Sequence, residues 1–460
     1  MFYKTRVLLL KLFMAVIFIF VAGGVLYPSA ALASNVVFEV KADKPVVLTG
    51  ERNRVTVRAL VRPEGEIVRK RIPLAVALVL DKSGSMSSEN RIENAKLGAK
   101  EALDRLSAGD IATLVVYDYE ASVKVPPISA SEKSVFSRAI SSIEAGGSTA
   151  LYDGVRLGAE QILPFVKDGY VPRIILLSDG LANVGPDSTQ ELAKLGRSLA
   201  EKEITITTIG LGLDYNEDLM TALAAESGGN AYFARHARSL SEMFARDIMD
   251  ATTLTARRVK VTLTCDSDIK PIGTIGRKAS KEDGTTIEVS IDNLYSNEKY
   301  ALFEIEVPPT EKATVMDAAK LKIEYLDPAT DSIVVMEASL KLTFVTDSNE
   351  VEKNRYDEVV AQAAIARNAE IREEAVRLAD EGRSEEAAEI LRNRAEVLTQ
   401  ITTSVMESEI KSEAKELEDL SATLLEDKTM SSEQRKNVLN KAYIQANQQT
   451  TTSVMSEDVK

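Results

Sequence analysis

Between Arg71 and about Asp250, short apolar runs alternate with amphipathic ones, and this rhythm restricts the fold more than any other feature of the chain. The strand-like runs cover residues 74–80, 111–117, 122–125, 173–177, 204–209 and 231–233. The helix-like stretches cover 91–106, 132–143, 151–166, 189–201, 217–225 and 239–249. The first of these places Ile92, Ala95, Ala99, Ala102, Leu103 and Leu106 on one stripe, the period of a helix with one buried face. Alternating β and α units predict a doubly wound, mostly parallel sheet of the Rossmann type. Residues 75–80, AVALVL, contain no turn residue, which suits a central parallel strand covered on both faces.

That strand ends in polar side chains. Asp81, Ser83 and Ser85 alternate after it, with Gly84 between the serines. Open α/β sheets bind ligands at the carboxyl ends of their strands, so these groups stand where a site is expected. A carboxylate and two hydroxyls are hard oxygen donors, suited to Mg²⁺, Mn²⁺ or Ca²⁺ rather than to soft metals. The pattern D-x-S-x-S, in the stretch AVALVLDKSGSM, resembles the metal-ion-dependent adhesion site of von Willebrand factor type A domains, integrin I domains among them. The family's site needs a threonine from a second loop and an aspartate from a third. Gly146-Gly147-Ser148-Thr149 offers Thr149, and the apolar run IILLSDG offers Asp179. The resemblance therefore implies a metal site of Asp81, Ser83, Ser85, Thr149 and Asp179 holding Mg²⁺ (or Mn²⁺ or Ca²⁺). It extends through residues 71–252 and includes GGSTALYDG, as in bacterial exported proteins of this type.

The first residues supply a basic segment (Lys4, Arg6, Lys11), an apolar core over residues 12–26 and the small-residue site Ala31-Leu32-Ala33. These three parts make residues 1–33 a secretory signal peptide, with an uncleaved membrane anchor as the alternative. Cys265 is the one cysteine, so an exported protein would depend on its cores instead of intrachain disulfides. A net charge of -14 speaks against nucleic acid as a partner, because phosphate binding needs a basic surface.

Outside the α/β segment, residues 34–70 read as two antiparallel strands around the turn Thr49-Gly50-Glu51-Arg52-Asn53. Residues 253–346 again alternate in strand fashion, with a hairpin turn at Asp327-Pro328-Ala329-Thr330-Asp331, and resemble a β-sandwich. Two strands alone are marginal, so the N-terminal pair is expected to join that sandwich, with the α/β domain inserted between. A separate N-terminal hairpin is the alternative. Residues 347–447 read as charged helices: 355–380 and 384–405 around the turn Asp380-Glu381-Gly382-Arg383, then 407–425 and 432–446. The first pair is similar to a single tetratricopeptide-like hairpin, with no second copy to make an array. Residues 448–460 read as a flexible tail.

Catalysis has few parts here. His236 is the one histidine, no zinc-protease H-E-x-x-H is present, and no phosphate-binding G-x-x-x-x-G-K-[ST] occurs. The expected function is a non-enzymatic, exported, cation-dependent binding module. Its metal would bridge to an aspartate or glutamate of a protein partner. The alternatives are an assembly factor that binds through its C-terminal helices and a membrane-anchored regulator of a channel or secretion complex.

Overall fold

The computed structural model describes residues 36–64 and 71–448. The leader expected over 1–33 and the tail beyond Gln448 lie outside the described residues. Three strands come first: β1 (Val36–Ala42), β2 (Val46–Leu48) and β3 (Asn53–Pro63). The expectation of two strands thus gains a third. Asp43-Lys44-Pro45 breaks the run, because Pro45 has no N–H to give a ladder. The Asp43 carboxylate accepts from the amides of Lys44 and Thr56 at 2.8 Å each and pins the corner.

The α/β module follows: β4 (Leu74–Asp81), α1 (Arg91–Arg105), β5 (Ile111–Tyr117), β6 (Ala121–Ser129), α2 (Lys133–Ser141), α3 (Leu151–Val166), β7 (Val171–Ser178), α4 (Thr189–Ala200), β8 (Thr205–Leu211), α5 (Glu217–Ser227), β9 (Ala231–Ala234) and α6 (Leu240–Thr252). The sheet order is β6-β5-β4-β7-β8-β9. All neighbours run parallel except β5 and β6, which pair antiparallel. Every residue of β4 is buried. Val76, Leu78 and Leu80 face one core with α1, α2 and α6, while Ala75, Ala77 and Val79 face the other with α3, α4 and α5. A strand buried on both faces cannot alternate, which is why its sequence is continuously apolar. The strand order reverses direction between β4 and β7, so the crevice of the fold opens at the carboxyl ends of these two strands.

The chain then forms β10 (Ala256–Cys265), β11 (Lys270–Ile275), β12 (Lys281–Asp283), β13 (Thr286–Leu294), β14 (Lys299–Val307), β15 (Val315–Asp327) and β16 (Ser332–Val345). Two sheets, β1-β3-β14-β11 and β12-β13-β10-β15-β16-β2, enclose one apolar core. β3 pairs with β14 from Asn53 to Val61, and β2 pairs with β16. The N-terminal strands therefore belong to both sheets rather than to a separate hairpin, and the α/β module leaves and re-enters the sandwich between β3 and β10. β11 and β12 carry little strand signal in the sequence. The first holds Pro271 and Gly273 around a bulge, and the second is three exposed charged residues.

Helices α7 (Ser348–Lys353), α8 (Asp357–Asp380), α9 (Ser384–Gln400), α10 (Glu407–Asp427) and α11 (Ser432–Asn447) complete the chain. α9 stops at Gln400, short of the expected residue 405. Thr403 and Ser404 satisfy their groups outside a helix, the Thr403 hydroxyl bonding within the turn and the Ser404 amide donating to Asp357. α8 lies on the outer face of the β1-β3-β14-β11 sheet, where buried Arg58 donates to Gln362 at 2.8 Å. α11 returns to the α/β module. The Tyr443 hydroxyl donates to the Gly229 carbonyl, and the Lys436 ammonium donates to the Tyr215 carbonyl at 2.6 Å each and pairs with Glu217. Among the described residues no helix is long and apolar enough to cross a membrane.

Candidate metal centre

Asp81 is the last residue of β4, and Ser178 is the last residue of β7, so Asp81 and Asp179 flank the crevice between these strands. Asp81 is fully buried. Its Oδ1 accepts from the Ser83 amide at 2.8 Å and its Oδ2 from the Ser178 hydroxyl at 2.7 Å. Both donors are neutral. Burial pushes the Asp81 carboxyl up to about 6, the hydrogen bonds from Ser83 and Ser178 opposing that rise and the nearby Asp179 adding to it.

A helical turn over Gly84–Asn90 carries Ser85 past the strand end. The Ser83 and Ser85 hydroxyl oxygens lie 3.0 Å apart, and Ser85 donates to Asp179 Oδ1 at 2.7 Å. Thr149 stands at the start of α3. Its amide donates to Asn183 Oδ1 at 2.9 Å, which ties the second loop to the third. A Cβ placed on Gly180 would lie 3.3 Å from Ser85 Oγ and 3.5 Å from Thr149 Oγ1, so these two hydroxyls border one small space that glycine keeps open. Gly147, at φ +90, lets the second loop approach β4: its carbonyl accepts from the Gly84 amide at 3.1 Å, and the Gly146 amide donates to the Lys82 carbonyl at 2.7 Å. A side chain at Gly147 would strike Asp118, whose carboxylate pairs with Lys82. Partial burial raises the Asp118 carboxyl, but the Lys82 ammonium outweighs it and holds the group below the usual range.

All five residues named from the sequence thus meet around one crevice. Among the described residues no three His, Cys, Asp or Glu side chains are grouped so as to hold a metal ion, and the crevice offers two carboxylates supplemented by hydroxyls. That set fits a hard divalent ion. It is all oxygen, and Asp81 is a buried anion bonded to neutral donors alone, the environment in which a bound cation repays its desolvation.

Two participants carry no signal in the sequence. Arg91, buried at the start of α1, donates to Asp179 Oδ2 at 2.9 Å and approaches Asp214 at 3.4 Å. An arginine six residues past Ser85 carries no motif signal, because its role depends on Asp179, 88 residues away. Ser178 is hidden for the opposite reason: as the last residue of an apolar strand it reads as a strand end. Asp118 and Glu120 are turn residues beside the site, and Asp153 charges the first turn of α3.

The sequence model of the von Willebrand factor type A domain matches residues 75–246. The chain contains a von Willebrand factor type A domain. Domains of this kind generally mediate protein–protein interaction and adhesion, and they typically bind a divalent metal. An uncharacterized protein of Synechocystis is 26% identical over 289 residues, covering 60% of this chain and 66% of that protein. The Escherichia coli protein YfbK is 32% identical over 157 residues, covering 34% of this chain and 27% of that protein. The chain thus spans less than two thirds of the length of either relative. A von Willebrand factor type A structure from Catenulispora acidiphila superimposes with a TM-score of 0.63 at 16% identity, covering 86% of this chain and 98% of that one, a likeness of fold. Its breadth shows that the likeness in fold extends well beyond the type A domain.

Proposed function

We propose that this chain is an exported, non-enzymatic binding protein whose type A domain holds Mg²⁺, Mn²⁺ or Ca²⁺ through Asp81, Ser83, Ser85, Thr149 and Asp179. The ion would then bind an aspartate or glutamate of a protein partner. The observation that carries this reading is the charge balance of the crevice. Asp179 is paired with Arg91, which Glu89 and Asp214 also approach, so Asp81 is the site's one carboxylate bonded to neutral donors alone. A divalent ion would more than offset the charge of that carboxylate. Hydroxyls fill places in its roughly six-fold oxygen shell without adding charge, and the ion stays attractive to an incoming carboxylate. Held in this way, the ion supplies an electrophilic contact for a carboxylate. The chain's own residues position it: Ser178 and the Ser83 amide orient Asp81, Arg91 orients Asp179, and Asn183 holds the Thr149 loop.

The non-enzymatic part of the reading is supported by the placement of His236, an exposed residue after β9 with its backbone carbonyl capping the turn at Ser239. Export is supported by the signal-like leader in the sequence. The test is electron paramagnetic resonance with Mn²⁺ as the probe. The full chain is expected to bind one ion, with loss in Thr149→Val and in Asp179→Asn. Undiminished binding in both variants would overturn the assignment.

A further inference from the structure

A cavity of about 700 Å³ lies where the three parts of the chain meet, walled by α5 of the α/β module, by β13 and the segment after β11 in the sandwich, and by α8 and α11. Most charged side chains on its wall already have partners. Lys278 pairs with Glu373, Arg435 with Asp218 and Asp380, Arg377 with Glu374 and Glu381, and Glu226 with Arg197. Arg277 and Asp292, of opposite charge, enter no ion pair among the described residues. Arg277 is only 7% exposed. Its guanidinium donates to neutral acceptors alone: the Asn447 carbonyl at 2.8 Å, Asn447 Oδ1 at 3.2 Å, Gln448 Oε1 at 3.4 Å and the Ser290 carbonyl at 3.5 Å. Only the first is short, and Nε has no partner. Burial pulls the Arg277 guanidinium down from its ordinary range, and the nearby Asp292 opposes that fall.

Asp292 is half-buried, and its Oδ1 accepts from the Ser290 hydroxyl at 2.6 Å. It stands in left-handed backbone, at φ +63, where β13 bulges against β10, and such a bulge re-aims a side chain. Gly228, at φ +69, makes room for it, since a Cβ there would lie 2.6 Å from Asp292 Cβ. We propose that this cavity binds a small zwitterion of the α-amino-acid class, its carboxylate on Arg277 and its ammonium on Asp292. A guanidinium forks onto a carboxylate, and a carboxylate accepts from an ammonium. One molecule carrying both charges satisfies both groups at once. A simple anion would answer Arg277 but meet repulsion from Asp292, and a simple cation the reverse. Ala222, Ala225, Val376 and Leu439 make part of the wall apolar, which suits a short aliphatic side chain. None of the five metal-site residues lines this cavity, so the proposal does not rest on the metal-site reading.

The test is calorimetric titration of the common L-α-amino acids into the full chain, in EDTA so that the metal centre takes no part. At least one aliphatic amino acid is expected to bind, one per chain. Its N-acetyl and carboxamide derivatives each lack one charge and are expected to bind about tenfold more weakly or worse, because a charged hydrogen bond is lost. The same loss is expected for the amino acid itself on Asp292→Asn. Asparagine tolerates left-handed backbone, so this variant is expected to keep the fold, as checked by circular dichroism and melting. Absence of binding by every amino acid would overturn the proposal. So would undiminished binding of the acetylated ligand or to a folded Asp292→Asn. Acetate binding as tightly as the amino acid would overturn it too, leaving Arg277 as an anion site alone.

Discussion

At the carboxyl ends of the α/β sheet, Asp81 is buried among hydroxyl and amide donors; toward the amino ends, Asp247 of α6 is buried as completely, but against an arginine. Asp247 Oδ1 accepts from Arg173 of β7 at 2.6 Å, from the Thr207 hydroxyl of β8 at 2.5 Å and from Asn230 at 3.2 Å. Arg173 also bonds the Tyr295 hydroxyl and stacks over its ring, with the centroid 5.3 Å away, and so joins the sandwich to the α/β module. The chain carries its own cation at this end, and the charge serves to fix α6 and the neighbouring domain. At the other end Arg91 meets Asp179, Asp214 and Glu89, and no guanidinium reaches Asp81. The same ingredients build a closed joint in one place and an open site in the other, and the difference is whether a guanidinium reaches the buried acid.

Breaking the closed joint should have the largest effect. Arg173→Met leaves Asp247 buried without its cation and is expected to cost about 3–5 kcal/mol in denaturant unfolding, with Mg²⁺ affinity unchanged. The open end should respond with the opposite sign. An ordinary carboxyl titrates near 3.8, and burial raises Asp81 to about 6. The metal-free folded chain therefore holds this proton more tightly than the unfolded chain. The stability gained is complete below about pH 4 and is lost as pH rises through about 6. Asp81→Asn in EDTA should remove that slope and raise stability at pH 7 by up to about 3 kcal/mol, read from urea unfolding across the pH range. Arg91→Gln sharpens the comparison by taking away the open end's own cation. It frees the charge of Asp179, so Mg²⁺ affinity should rise about tenfold (about 1.4 kcal/mol), even as the fold loses an ion pair. The smallest effect belongs to Arg156→Ala on exposed α3, whose pairs with Asp153 and Glu160 are solvated. A change below about 0.5 kcal/mol is expected, which separates buried from surface pairing by calorimetric melting.

The same two ends show what the amino-acid sequence can reveal. The open site is legible because its signals are local: Asp81, Ser83 and Ser85 lie within five residues of a strand end, and Asp179 directly follows another apolar strand. The doubly covered sheet is legible for a similar reason, since β4 and β7 advertise burial on both faces. The closed joint is not legible. Arg173 lies 74 residues from Asp247 and 122 from Tyr295, and each looks alone like an ordinary strand, helix or loop residue. Arg91 was hidden in the same way. β2, β11 and β12 are hard to read because they are short or interrupted by Pro and Gly, and the pairing of β2 and β11 is set by partners far along the chain.

The most direct test of the account is calorimetric titration of Mg²⁺ into the metal-free full chain and into Asp81→Ala. One ion bound per wild-type chain and none in the variant is the predicted result. Absence of binding to the wild type, or binding that persists without the Asp81 carboxylate, would contradict the claim that the open end of the sheet is a metal site.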